Sequence, residues 1–71
     1  MLVHFVECSG SHAKETLKQL EQELIARSEI ISLELLENLE QPEVFLLVIK
    51  SPLTLVLNPP QGTRVWLFKN V

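Results

Sequence analysis

Residues 44–49 read VFLLVI, the longest uninterrupted apolar run in the chain. Successive side chains of a strand point to opposite faces of a sheet, so this segment is apolar on both faces. One face carries Val44, Leu46 and Val48, and the other carries Phe45, Leu47 and Ile49. A strand of this kind is covered on both sides. One cover should be a helix of the same chain, and the pattern does not say which face that helix takes.

The segment 11–27 is the candidate for that helix. Its apolar positions recur at helical spacing and form one narrow stripe. The stripe consists of Ala13, Leu17, Leu20 and Leu24. We predict a helix over residues 11–27 with Ser11 as its N-cap. A helix of about 17 residues is some 25 Å long and can cover only one face of a sheet.

Strands are predicted on both sides of this helix. Residues 2–7 are rich in β-branched and aromatic side chains and run into Ser9-Gly10-Ser11, which is typical of a strand followed by a turn. Residues 30–37 contain alternating apolar and polar side chains, as in a strand with one buried face. A polar loop over residues 38–43 then leads into the apolar run.

The last part of the chain is interpreted as a hairpin. Residues 53–57 and 63–69 flank the turn-rich stretch 58–62, which reads NPPQG. Ser51 followed by Pro52 is also a good start for a short helix over residues 52–57. The β-branched residues Thr54 and Val56 favour a strand at this position.

These elements predict a single α+β domain over residues 1–71. Its sheet is mainly antiparallel with four or five strands, in the order β-α-β-β-β-β, and one long helix covers one face. The chain is short, and Cys8 is its only cysteine, so it cannot form an internal disulfide. Symmetric association is the usual way to cover a second apolar face. We therefore expect a homodimer or a higher homo-oligomer.

The succession of LVHFVE, an amphipathic helix and EIISLELLENLEQPEVFLLVIKS resembles a known family. It is similar to the first strand, helix and hairpin of small dimeric α+β barrel proteins of the antibiotic-biosynthesis-monooxygenase type, over residues 2–51. The resemblance implies a ferredoxin-like fold and dimerisation. No catalytic residue is carried across from it.

The composition argues against several classes of function. Nine acidic and six basic residues give a formal charge of −3. Proteins that bind a phosphate backbone do so with basic residues, so we expect no nucleic-acid partner. The chain contains no aspartate, which EF-hand loops and Asp-containing catalytic triads require. No dinucleotide or P-loop fingerprint is present, so we expect no cofactor. The N-terminus lacks a basic region of the kind that begins a signal peptide, and no apolar run could span a membrane, so we expect a cytoplasmic protein with no membrane partner.

Four residues near the N-terminus, His4, Glu7, Cys8 and His12, raise the question of a metal or nucleophile site. On a strand, His4 and Cys8 share one side about 13 Å apart, while Glu7 points to the other. These side chains cannot share one ion, so no metal site is predicted. We interpret Cys8 as a small buried hydrophobe and His12 as an exposed residue of the first helical turn.

The most suggestive set for binding is Arg64, Trp66 and Phe68. A strand places all three side chains on one face, and these residue types are enriched in interface cores. They are candidates for a partner- or ligand-binding surface, with packing in the protomer core as the alternative. The sequence favours a small homo-oligomeric binding or accessory domain rather than an enzyme. A cofactor-independent monooxygenase that holds a small aromatic substrate in a dimeric barrel is the alternative.

Overall fold

The computed structural model describes all 71 residues and contains one helix and four strands. The elements are β1 (Leu2–Ser9), α1 (Ala13–Leu24), β2 (Ser32–Glu37), β3 (Val44–Ser51) and β4 (Arg64–Lys69). The four strands form one sheet in the order β2-β3-β1-β4, and every neighbouring pair is antiparallel. The predicted α+β class, with one helix and an antiparallel sheet, is confirmed, and the sheet has four strands.

The core lies between α1 and one face of the sheet. All four apolar residues of the predicted helical stripe are buried there. On β3 the face towards α1 carries Phe45, Leu47 and Ile49, and the last two have no exposed surface. Cross-strand pairing brings Leu47 beside Val6 of β1, which is also fully buried. The structure thereby shows which of the two apolar faces of residues 44–49 turns towards the helix.

The start of α1 differs from the prediction. Ser11 is not the N-cap: His12 occupies that position, and its side chain makes no capping hydrogen bond. The chain turns at Gly10, which has a φ of 113°, a conformation that glycine adopts without steric cost. The Gly10 N–H donates to the carbonyl of Glu43 at 3.0 Å, and the Ala13 N–H donates to the carbonyl of Gly10 at 3.2 Å. This turn delays the helix to Ala13.

The segment 52–63 contains neither a strand nor a helix. The predicted strand over residues 53–57 is therefore wrong, as are its hairpin with residues 63–69, the five-stranded alternative and the short helix. Leu55 instead turns inwards and joins the core cluster between α1 and the sheet. The strand that begins at Arg64 pairs with β1 over its whole length.

Three hydrogen bonds fasten this irregular segment to the rest of the domain. The backbone N–H of Leu55 donates to Nε2 of His4 at 3.3 Å. The Arg27 guanidinium donates to the carbonyl of Val56 at 3.0 Å, and the Ser51 hydroxyl donates to the carbonyl of Leu53 at 2.6 Å. These contacts hold the segment over the helix-facing side of the sheet, beside α1.

Strand β4 is the least covered element. Helix α1 contacts β1, β2 and β3 and does not reach β4. All six residues of β4 are exposed, and the strand contacts only β1. It leaves an apolar edge strand on the molecular surface.

Candidate functional site

The sheet face opposite α1 is uncovered and mainly apolar; we call it the open face. Strand pairing places residues of all four strands in rows across it. In the strand order β2, β3, β1 and β4, the first of three consecutive rows contains Ser32, Lys50, Val3 and Phe68. The second row contains Glu34, Val48, Phe5 and Trp66. The third row contains Leu36, Leu46, Glu7 and Arg64. The two central strands supply its middle.

Aromatic side chains dominate the half of the open face near β4. The rings of Phe5 and Phe68 meet edge to face, with centroids 5.3 Å apart and planes at 83°. Such a geometry is favourable because the positive edge of one ring meets the negative face of the other. Trp66 is 44% exposed and Phe68 is 51% exposed, so both rings present a large apolar area to solvent.

Arg64 packs against this aromatic group. Its guanidinium carbon lies 5.2 Å from the centre of the Trp66 ring, within the range of a cation–π interaction. Arg64 is also opposite Glu7 in the pairing of β4 with β1. A cation and an anion therefore sit side by side at one end of an otherwise apolar surface.

A shallow groove of about 470 Å³ runs along this aromatic half. Five apolar residues line it, namely Val3, Phe5, Leu46, Trp66 and Phe68. Its polar contributors are Glu7, Lys69 and Asn70. The groove is an apolar surface with a polar rim, the usual composition of a binding interface.

The structure brings the candidate residues Arg64, Trp66 and Phe68 together on this open face, as their spacing predicts. It adds Val3 and Phe5, which the sequence interpretation did not single out. The sequence pattern could have indicated them, because Val3 and Phe5 alternate along β1 with the residues that are buried. That alternation alone does not predict which of the two faces of β1 packs against α1.

The four residues near the N-terminus do not form one site. His4 and Cys8 are buried on the α1 side of the sheet, and Glu7 is on the open face. The His12 side chain is 90% exposed, with its Nδ1 3.8 Å from a Glu15 carboxylate oxygen. No group of three or more His, Cys, Asp or Glu side chains is arranged to hold a metal ion.

His4 is a core residue with one polar contact. It is 2% exposed, and its Nε2 accepts the Leu55 N–H. The other ring nitrogen, Nδ1, has no hydrogen-bond partner in the protein. The contact is structural, since it holds segment 52–63 against β1.

Glu29 follows α1 in the chain and is paired with Arg27. A hydrogen bond from its own backbone and the Arg27 guanidinium lower the pKa of the Glu29 carboxyl. The Arg27–Glu29 ion pair spans 2.7 Å and is partly exposed. It orients Arg27, which in turn holds Val56.

Comparison with known proteins finds no matching family model, no similar curated protein and no similar solved structure. No helix of the chain has the length and apolar character needed to cross a membrane. The geometry of the open face is therefore the main basis for a functional inference.

Proposed function

We propose that this protein is a homo-oligomeric interaction domain whose binding surface is the open face, and that a second copy of the chain covers that face. The observation that carries the proposal is the uncovered apolar middle of the sheet. In this proposal the domain is cytoplasmic, and its partners are proteins rather than membranes or nucleic acids.

The size of the chain supports the proposal. A domain of 71 residues buries only about 60% of the surface that its unfolded chain exposes. Only 13 residues are buried, and Trp66 and Phe68 remain half exposed. A second copy that covers these rings would bury more apolar surface, and each Å² removed from water contributes about 25 cal/mol to the free energy of association.

The topology supports a ferredoxin-like fold as the finer description. β1 and β2 run parallel with β3 between them, and β3 and β4 run parallel with β1 between them. Two such split crossovers make the ferredoxin-like arrangement, which has a helix in each. Here the second crossover is the irregular segment 52–63, so the protomer has one helix fewer to cover its sheet.

The chemistry of the groove favours binding over catalysis. An active site needs several polar groups that converge on one reacting atom. The apolar residues of the groove form its surface, and Glu7, Lys69 and Asn70 are its only polar residues. Covered by a second copy, the groove would become a pocket lined mainly by apolar side chains, without the convergent polar groups that an active site needs.

Sedimentation velocity over a range of concentrations tests the proposal. We expect a dimer at micromolar concentration that dissociates on dilution. Trp66 is the only tryptophan and lies on the open face, so its fluorescence emission should shift to shorter wavelength as the dimer forms. A chain that sediments as a monomer at all concentrations, with constant emission, would contradict the proposal.

A further inference from the structure

Strand β4 forms a free edge of the sheet. In an antiparallel pair, alternate residues direct their backbone groups to the neighbouring strand and the others direct them away. The Asn70 N–H donates to the carbonyl of Met1, which continues the pairing of β4 with β1. By alternation from this bond, Val65, Leu67 and Lys69 direct their backbone groups away from β1. The edge therefore presents unpaired backbone donors and acceptors to solvent.

The middle of this edge carries none of the features by which proteins block strand pairing. Such features include a proline, a bulge and a charged side chain. Between Arg64 and Lys69 the strand reads VWLF, and its pairing with β1 runs without a bulge. Val65 and Leu67 are about half exposed, and α1 does not reach them. A strand added along β4 would meet apolar side chains on both faces of the sheet.

The other free edge, on β2, is less suited to an added strand. Glu34 and Glu37 place two charges on this strand of six residues. Leu33 and Leu35 are partly buried and already pack against the core cluster, and α1 contacts β2. The edge on β4 is therefore the one whose apolar residues lack a neighbour.

The charges around β4 indicate which kind of strand would bind. The strand has a cation at each end, Arg64 and Lys69, and residues 52–71 contain no acidic residue. On β1, the only strand that β4 contacts, Glu7 is the one acidic residue. Opposite charges on neighbouring strands stabilise their pairing, and like charges oppose it. A strand with acidic ends therefore suits this edge, whereas a second copy of β4 would bring only cations to it.

We propose that β4 binds an extended segment of another protein as an additional strand of the sheet, and that this segment has an apolar centre and acidic ends. In this mode of recognition, main-chain hydrogen bonds to the free edge supply affinity and side-chain contacts supply specificity. The inference goes beyond the proposed function, because its site is the edge of the sheet and not the open face. It does not require a second copy of the chain.

Amide hydrogen exchange with a synthetic peptide tests the inference. The probe is a peptide with blocked ends in which the stretch VTVTV is flanked by one glutamate on each side. In the free protein we expect fast exchange at Val65 and Leu67, and slower exchange at Trp66 and Phe68, whose amides are directed to β1. A saturating concentration of the probe should slow exchange at Val65 and Leu67 by on the order of tenfold or more.

A variant of the protein distinguishes backbone pairing from loose apolar contact. Leu67→Pro removes an N–H that points away from β1, so the sheet loses no hydrogen bond. Leu67→Ala is the matched control, because it removes the side chain and keeps the N–H. We expect Leu67→Pro to weaken binding of the probe by on the order of tenfold or more, and Leu67→Ala to weaken it less. Circular dichroism establishes whether both variants fold.

Two altered peptides test the wild-type protein and so do not depend on the folding of Leu67→Pro. A peptide with lysines in place of both glutamates should bind more weakly by on the order of tenfold or more, because it brings like charges to the edge. A peptide whose central amides are N-methylated cannot donate hydrogen bonds to β4. It should leave exchange at Val65 and Leu67 unchanged.

The outcomes separate this inference from the proposed function. Unchanged exchange at Val65 and Leu67 with excess probe, or equal binding of the lysine peptide, would overturn the inference and leave the homo-oligomer standing. Protection of these amides by higher protein concentration alone would assign the edge to a second copy and would also overturn it. A chain that binds the probe and stays monomeric would support this inference and contradict the proposed function.

Discussion

His4 shows how a single side chain holds an irregular segment in place. Its ring nitrogen is the partner of the buried Leu55 N–H. We expect His4→Phe to lower the free energy of unfolding by about 1–3 kcal/mol, because the Leu55 N–H is then buried without a partner. Denaturant unfolding measures this loss, and amide exchange should show faster exchange at Leu55. The exposed His12→Phe is the control, and unaltered protection of Leu55 in His4→Phe would contradict the assignment.

Trp66 is the residue for which we expect the largest effect on association. Truncating a central aromatic anchor of an interface costs about 2 kcal/mol or more. We expect Trp66→Ala to weaken self-association by this amount while α1 stays formed, as read by sedimentation and circular dichroism. Val65→Ala is the matched control, because Val65 is similarly exposed, 43% against 44%, and lies on the other face of β4. An unchanged association constant in Trp66→Ala would remove Trp66 from the interface.

The elements differ in how far their sequences predict them. Helix α1 was predictable because its apolar residues recur at helical spacing, and β3 because it contains an uninterrupted apolar run; β3 begins at the predicted residue, and α1 spans Ala13–Leu24 within the predicted residues 11–27. Segment 53–57 also has a strand-like pattern, yet it forms no strand. Residues 52–63 instead cross from β3 to β4 over the helix-facing side of the sheet, where the Leu55 N–H donates to His4 and not to a neighbouring strand. Leu55 therefore packs as a loop residue, a result that depends on pairing across the whole chain.

The candidate site was predictable only in part, and for a related reason. Arg64, Trp66 and Phe68 could be assigned to one face from the alternation within their own strand. Val3 and Phe5 join them only through the register of β4 on β1, which no local pattern encodes. Interstrand register depends on residues that are distant in the sequence, so a short stretch of neighbouring residues does not predict it.

The two faces of β3 should respond differently to charge. Leu47 has no exposed surface and lies in the core, while Leu46 is on the open face and lines the groove. We expect Leu47→Lys to unfold the chain, because an unpaired buried charge costs several kcal/mol of a total of about 5–15 kcal/mol. Leu46→Lys should instead leave a folded protomer that associates weakly. Circular dichroism and sedimentation of both variants test this, and equal unfolding by both would place each face inside one protomer.

At the scale of the whole molecule, stability should depend on protein concentration. A partner that binds only the folded state raises the apparent stability by mass action. We therefore expect the melting temperature of the wild type to rise with concentration and that of Leu46→Lys to stay constant. Differential scanning calorimetry over a hundredfold range of concentration, about 1 to 100 μM, would measure both. A constant melting temperature in the wild type would contradict a coupling between association and stability.

The position of β1 in the middle of the sheet has a consequence for the route by which the chain folds. This first strand has β3 and β4 as its neighbours, so its pairings join distant parts of the sequence. Only β2 and β3 form a local hairpin, across the short turn at residues 38–43. Folds dominated by such non-local pairings form slowly, because a long loop must close, at a cost in conformational entropy, before the stabilising contacts can form. Strand β4 contacts only β1, so its place in the sheet depends on pairing between the two ends of the chain. The edge-to-face contact between Phe5 and Phe68 can therefore form only when the first and last strands of the chain have met.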